Sequence, residues 1–260
     1  MSYSLKLKEM KELLDLKDED DISSLYNKYL AAKKSGRRIV TNYFYAPNIY
    51  DKLKVNSNKL SLSVESYGGV EDAEKRLIAF NYEDSIENWP LICIKIITPK
   101  KFNNLSHKDY LGAIMALGIE RGKFGDLRVK ENQCYIMILE EIGWYVVSNL
   151  TKIGKLGCTC QVVEDLKEIP LLEFDNLTIQ SSSYRLDSIV SALTKKSRKD
   201  SVELISSGMV MVDYLEIRNK SFEVKENNRV TIRKCGKYII KELLGETKSG
   251  RYKILVNKFI

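Results

Sequence analysis

The chain has 260 residues, 44% hydrophobic and 30% charged, enough to bury one sizeable core or two to three small ones in a globular protein. No apolar run reaches the about 18 residues of a membrane-spanning helix, since the densest, Leu91 to Ile97, is interrupted by Lys95, and the N-terminus runs into Lys, Glu and Asp without an apolar signal core, so a cytoplasmic location is expected. The net charge of +7 is unevenly placed: residues 1–180 hold 25 basic and 26 acidic side chains, residues 181–260 hold 17 and 9, and a positive field so localised is what a polyanion-binding module needs. To about Asn81 the pattern predicts helices and then a small β element. Leu5, Leu7, Met10, Leu13, Leu14 and Leu16 fit one helix, and Asp18-Glu19-Asp20-Asp21 opens a second through Leu25, Tyr29 and Leu30. Lys33 to Arg38, with Gly36 inside, reads as that helix's C-terminal end, Pro47 opens a short helix, and the alternation Leu60, Leu62, Val64 before Gly68-Gly69 predicts a strand and turn.

From Trp89 to Leu172 the pattern becomes strand, helix, strand, helix, strand. Leu91 to Ile97 is a buried strand stopped by Pro99, Ser106 with Asp109 caps a helix through Leu111, Ile114, Met115 and Leu117, and Gly118 to Asp126 reads as a loop. Cys134 to Leu139, a helix from Glu140 to about Lys152, and Cys158 to Val163 complete an α/β sandwich. The five cysteines (Cys93, Cys134, Cys158, Cys160, Cys235) form no CxxC pair, which argues against a disulfide framework or a zinc site. With His107 the only histidine, a Ser/His/Asp triad or a histidine-rich metal centre would rest on one imidazole, and His107 itself sits at a helix start as a surface residue. No cofactor or metal is expected.

After Ser181 the functional signal begins. Leu186, Ile189, Val190 and Leu193 fall at helical spacing, Ser197 to Asp200 forms a capping box for a second helix ending at Gly208, and Met209 to Val212 is a strand. Between the helices stands Lys195-Lys196-Ser197-Arg198-Lys199. Cations at a helix start oppose its dipole, so folding does not favour them there, whereas helix-start N–H groups with four cations make a phosphate clamp. Arg185 joins this clamp, and Arg233, Lys234 and Lys237 supply a second cationic edge. Arg121, Lys123, Lys248 and Arg251 are expected as secondary contacts to the polyanion.

Arg185-Leu186-Asp187, Ser197-Arg198, Leu204-Ile205, Gly208, Val210, Val212 and Val230 to Arg233 resemble the ribosomal protein S4-like RNA-binding domain over about Ser181 to Leu244. Upstream, Tyr67-Gly68-Gly69, Ile97-Thr98-Pro99, Leu105-Ser106-His107, Phe124-Gly125-Asp126 and Ser148 to Gly154, with Gly245 to Lys248 at the end, are similar to the YlmH family over nearly the whole chain. The resemblance implies an α+β chain of three small domains: residues 1–82 mostly helical with a small β element, 83–176 an RNA-recognition-like α/β sandwich, and 181–260 an S4-like domain with a C-terminal strand extension. It also implies a bacterial RNA-binding protein of the cytoplasm, with rRNA, tRNA and the large ribosomal subunit as partners, acting in rescue of stalled ribosomes, and a link to cell-division proteins. Ser201, Met209, Met211, Asp213 and Asn227-Asn228 depart from the family pattern, removing two cations and adding a carboxylate.

Two other classes stay open: an RNA-modifying enzyme of the pseudouridine synthase or methyltransferase type, and a cell-division interaction protein. Against the enzyme, Arg185-Leu186-Asp187 lies inside the binding module, Gly122 to Gly125 lacks the GxGxxG spacing, and Asp187 reads as a first-turn acid favouring the helix dipole. The middle segment also lacks an evident aromatic pair for stacking on bases.

Overall fold

A computed structural model describes residues 5–15, 19–81, 88–99, 105–247 and 250–260. The chain divides into two compact units, Met1–Leu171 and Leu172–Ile260. Among the described residues, no helix is long and apolar enough to cross a membrane, and no group of three or more His, Cys, Asp or Glu is placed to hold a metal ion.

The first unit opens with α1 (Leu7–Leu14) and α2 (Glu19–Ser35), as the periodicity predicts, though Leu16 lies outside the described residues. Gly36 ends α2 in the left-handed region at φ +67°, its N–H bonded to Ala32 O. β1 (Ile39–Val40), α3 (Pro47–Val55), α4 (Ser57–Leu60), β2 (Val64–Tyr67) and β3 (Leu77–Phe80) follow. The strand expected from Leu60 is corrected here: Leu60 closes α4 and is fully buried, and the extended backbone starts only at Val64. An apolar alternation of three residues fits a helix end as well as a strand. The sheet order is β1-β3-β2, antiparallel, with its helices packed on Met10, Leu14, Tyr29, Leu53 and Phe80.

Next come β4 (Leu91–Ile97), α5 (His107–Met115), β5 (Phe124–Lys130), β6 (Gln133–Leu139), α6 (Glu140–Asn149), the short pair β7 (Lys152–Ile153) and β8 (Leu156–Gly157), and β9 (Thr159–Val163). The sheet order β5-β6-β4-β9, all antiparallel with helices after the first and third strands, is the split βαβ arrangement. The capping box of Ser106 and Asp109 is present. The expected loop from Gly118 to Asp126 holds only through Lys123; Phe124 already starts β5, whose ladder shifts register between Phe124 and Leu127, so Gly125-Asp126 breaks the alternation without ending the strand. α6 stops at Asn149 rather than Lys152, because Lys152 pairs with Gly157.

The two faces of this sheet have different fates. Ile94, Ile96, Ile136 and Phe124 pack under α5 and α6 with Tyr110 and Ile114. The alternate residues Cys93, Tyr135, Met137 and Val163 pack against Phe44, Leu77 and Ile169, so the N-terminal segment covers the second face. Gly69 enforces that closeness: at φ +88° a Cβ would lie 2.1 Å from Met137 Cε. The cysteines follow the packing. Burial pushes the thiols of Cys93 and Cys160 up to about 12 and that of Cys134 higher still, and both Cys158 and Cys160 Sγ donate to Leu150 O at 3.5 Å.

The second unit is a six-stranded antiparallel sheet with two helices on one face. Its elements are β10 (Phe174–Ser181), α7 (Leu186–Thr194), α8 (Arg198–Ser206), β11 (Val210–Val212), β12 (Leu215–Glu216), β13 (Arg229–Ile232), β14 (Gly236–Glu246) and β15 (Tyr252–Phe259), in the order β10-β15-β14-β13-β11-β12. Leu186, Ile189, Val190 and Ile205 of the helices bury against Val210, Val230, Ile240 and Val256. Two helices and then strands is the order the S4-like motif implies. The sheet also takes in 174–181, upstream of the expected start at 181: β10 pairs with β15 over eight residues.

Candidate nucleic-acid interface

α7 and α8 meet through a small ionic network at their N-termini. Arg185 is the N-cap of α7 and Asp187 lies in its first turn, with a side chain only 7% exposed. Arg185 Nε and Nη2 donate to Asp187 Oδ1 and Oδ2 at 3.2 and 3.3 Å, and Arg198 Nη2 donates to Asp187 Oδ2 at 3.4 Å and to Ser188 Oγ at 2.9 Å. Burial alone would raise the Asp187 carboxyl, but the Arg185 hydrogen bond and the Arg198 and Arg185 charges outweigh it and hold it below the usual range. Asp187 is therefore more than a first-turn acid: it fixes two guanidiniums while leaving a net positive charge at the surface.

Arg198 stands at the position the sequence gives the clamp. Ser197 caps α8, its Oγ accepting Asp200 N at 3.1 Å, and its O accepts Ser201 Oγ at 2.9 Å. The departure at Ser201 is thus a fully buried hydroxyl bonded within its own helix. Lys195 closes α7 in the left-handed conformation at φ +57°, and Lys195, Lys196, Arg198 and Lys199 are all exposed. Arg198 also borders an open pocket of about 280 Å³ with Ser182, Ser188, Ser191 and Arg251. Hydroxyls and two guanidiniums around a cleft of that size suit a phosphate with its sugar. Composition did not single out these serines; Ser188 and Ser191 at i and i+3 on α7 were the available signal.

The other expected cations divide. Arg251 joins the pocket, and Lys248 lies outside the described residues. Arg233 and Lys234 are exposed in the β13–β14 turn, where Arg233 N donates to Met209 O just past the end of α8, roughly 13 Å along that helix from the clamp. Lys237 is on the sheet face away from the helices, 4.9 Å from the Tyr214 ring and 4.7 Å from the Phe259 ring. In the first unit Arg121 Nη1 donates to Phe124 O and Gly125 O at 2.8 and 3.1 Å, and Lys123 Nζ to Asn42 O at 3.3 Å, so both cations also tie strand to loop. His107 is exposed at the start of α5.

The carboxylate at Asp213 is engaged in holding a turn. Asp213 and Tyr214 form a two-residue hairpin turn at φ +46° and +67°, and Asp213 accepts Arg229 N and Asn228 Nδ2, each at 2.7 Å. It pins the start of β13, and Asn228, another departure, is its partner.

Residues 85–167, the split βαβ segment, match the family model described as a putative RNA-binding domain in YlmH. The Bacillus subtilis ribosome-associated protein quality control protein P2 is 28% identical over 192 residues, 72% of this chain and 74% of that protein. Among solved structures, the Streptococcus pneumoniae cell division protein ylmH aligns with a TM-score of 0.48 and 22% identity, over 65% of this chain and 99% of that one. The ribosomal protein S4e of Thermoplasma acidophilum aligns with a TM-score of 0.21 and 16% identity, over 30% of this chain and 36% of that one. The likeness to the YlmH family carried by the sequence motifs stands on the first two of these.

Proposed function

We propose that this YlmH-like chain is a non-catalytic RNA-binding protein that holds structured RNA, rRNA with or without tRNA, on the large ribosomal subunit, and that it acts in the cytoplasm in rescue of stalled ribosomes. The observation that carries the reading is the convergence of Arg198 and Arg251 on the serine-lined pocket beside the Arg185–Asp187 pair. Preset guanidiniums at a helix junction, in a region of net charge +8, bind phosphates without a reaction to perform. The name of the Bacillus relative, a ribosome-associated quality control protein, supports the ribosome as the place of work. In this reading residues 1–82, 83–176 and 181–260 act as three domains, the last with its strand extension, and the first two add a second contact on the same chain that raises avidity.

Binding of the full chain and of residues 172–260 to purified large subunits and to naked rRNA, at matched ionic strength, tests this. The full chain should bind the subunit more tightly than the C-terminal unit does, prefer a subunit bearing peptidyl-tRNA, and lose affinity on Arg198→Ala. Equal affinity of the full chain and the C-terminal unit, a preference for naked rRNA, or indifference to Arg198 would each count against it.

A further inference from the structure

The six-stranded sheet of the second unit buries one face under α7 and α8; strand register lays out the other. With Val230, Tyr238, Ile240, Ile254, Val256 and Ile179 turned into the core, Arg229, Lys237, Asn257, Phe259, Asn176 and Phe174 face the opposite way. Phe174 and Phe259 are cross-strand neighbours with ring centroids 4.9 Å apart, and Asn176 and Asn257 are the next pair on the same face. Two cations stand between Phe259 and the turn residue Tyr214: Lys237 lies 4.7 and 4.9 Å from the two rings, Arg229 5.9 and 5.3 Å. Phe174, Tyr214 and Phe259 are each half-buried.

We propose that this face is a second RNA site, one that takes a single-stranded segment: unpaired bases stack on Phe174, Phe259 and Tyr214, the Asn176 and Asn257 amides meet base edges, and Lys237 and Arg229 face the phosphates. It rests on the reading that the chain binds RNA, and adds the class of RNA that this face receives. Aromatic rings, amides and cations interleaved on an open antiparallel sheet are the combination by which sheets hold unpaired nucleotides, because only unpaired bases offer a free π-face. From β10 to β13 the platform crosses four strands, about 14 Å, the width of two to three stacked bases. Glu216, ion-paired with Arg218 at 2.7 Å on the edge strand β12, and Glu242, beyond the β14 irregularity, lie off the cluster, while the carboxylate nearest it, Asp213 beside Tyr214, is engaged by Arg229 N and Asn228 Nδ2 at 2.7 Å each. A duplex gripped at the helix junction and a strand laid on the sheet would be different parts of one RNA.

Full-length protein is titrated with a labelled single-stranded octanucleotide and, separately, with an RNA hairpin. Phe259→Leu keeps the apolar bulk and removes the ring; Lys237→Gln removes the charge of a half-buried side chain while keeping a donor for Tyr214 Oη, and guards against misfolding of the first variant. Each should weaken octanucleotide binding, the ring by roughly 5- to 100-fold, the cost of losing one stacked base, and leave hairpin affinity within about twofold. Arg198→Ala should do the reverse. A photoreactive uridine in the octanucleotide should crosslink to Tyr214 or Phe259. Hairpin binding with no octanucleotide binding, unchanged octanucleotide affinity in Lys237→Gln, or crosslinks confined to other residues would overturn the sheet-face site and leave the clamp intact. Loss of hairpin binding by the wild type, with octanucleotide binding still sensitive to Phe259 and Lys237, would overturn the clamp alone.

Discussion

Arg198, the first residue of α8, donates to Ser188 in the first turn of α7 at 2.9 Å. One guanidinium thus sets the spacing of two helix N-termini and also borders the pocket shared with Arg251. The two tasks differ in energy. The Arg198 side chain is 56% exposed, and Asp187 keeps Arg185 and Ser188 N without it.

Arg198→Ala should therefore lower stability by about 0–1 kcal/mol, as exposed pairs do, yet weaken RNA binding by about 1.5–3 kcal/mol, the worth of a charge-assisted hydrogen bond. Arg198→Lys should recover part of the affinity, since a lysine keeps the charge and loses the fork. Urea unfolding and hairpin titration of both variants check this; a variant that unfolds but binds normally when folded would give Arg198 a structural role only.

Acid should loosen the helix junction. The Asp187 carboxyl is held below its ordinary 3.8 in the folded chain, so its contribution to stability is fully present above that value and is lost as pH falls through the lower, folded one. Unfolding midpoints across roughly pH 2–6 should decline less steeply for Asp187→Asn than for the wild type at the acid end of that range. Identical slopes would mean that the carboxyl contributes nothing.

The pairing of β10 with β15 sets where the second unit can be cut. A fragment beginning at 172 should fold and bind RNA with log affinity falling against log salt by roughly 0.7–0.9 per phosphate contact. One beginning at 182 lacks β10 and exposes the β15 edge, so it should be less stable and prone to associate. Melting and light scattering of the two fragments decide it, and equal behaviour would make β10 an ornament.

Asp213→Ala should cost about 1–3 kcal/mol, because Arg229 N and the Asn228 amide both lose their acceptor at the root of β13. Asp213→Asn, which keeps an acceptor oxygen and the left-handed tolerance of the turn, should cost less. Thermal melts rank the two. If the carboxylate mattered through repulsion of RNA, both substitutions would instead raise affinity equally.

Thiol labelling reports on the first unit. With Cys93 pushed up to about 12 and Cys134 higher, both by burial, neither presents a thiolate at neutral pH, and both should stay unlabelled by a disulfide reagent until the chain unfolds. Rapid native labelling of Cys134 would mean that the sheet under α5 and α6 opens.

Sequence order foretold the elements that carry long, regular apolar patterns. Leu91–Ile97 and the two helices around Lys195 to Lys199 appear where the pattern puts them, since their periods are unbroken and their caps are chemically distinct. β5 and β10 were hidden because Gly125-Asp126 and Asp175-Asn176 interrupt the alternation, and a strand interrupted in that way is held by its neighbours. The clamp cations were legible as local density. Asp187 as their anchor was not, because Arg198 reaches it across a helix crossing, nor was the placement of Lys237 between the rings of Tyr214 and Phe259, 45 positions apart in the chain.

The second unit enters and leaves by the same corner: Phe174 pairs with Phe259, and Ile260 N donates to Glu173 O at 3.3 Å. Anything fused after Ile260 would emerge beside the Phe174–Phe259 rings, so a C-terminal affinity tag would crowd that face, whereas joining position 260 to 172 through a short linker and reopening the exposed loop at Asn219-Lys220 offers a circular permutant with the sheet intact.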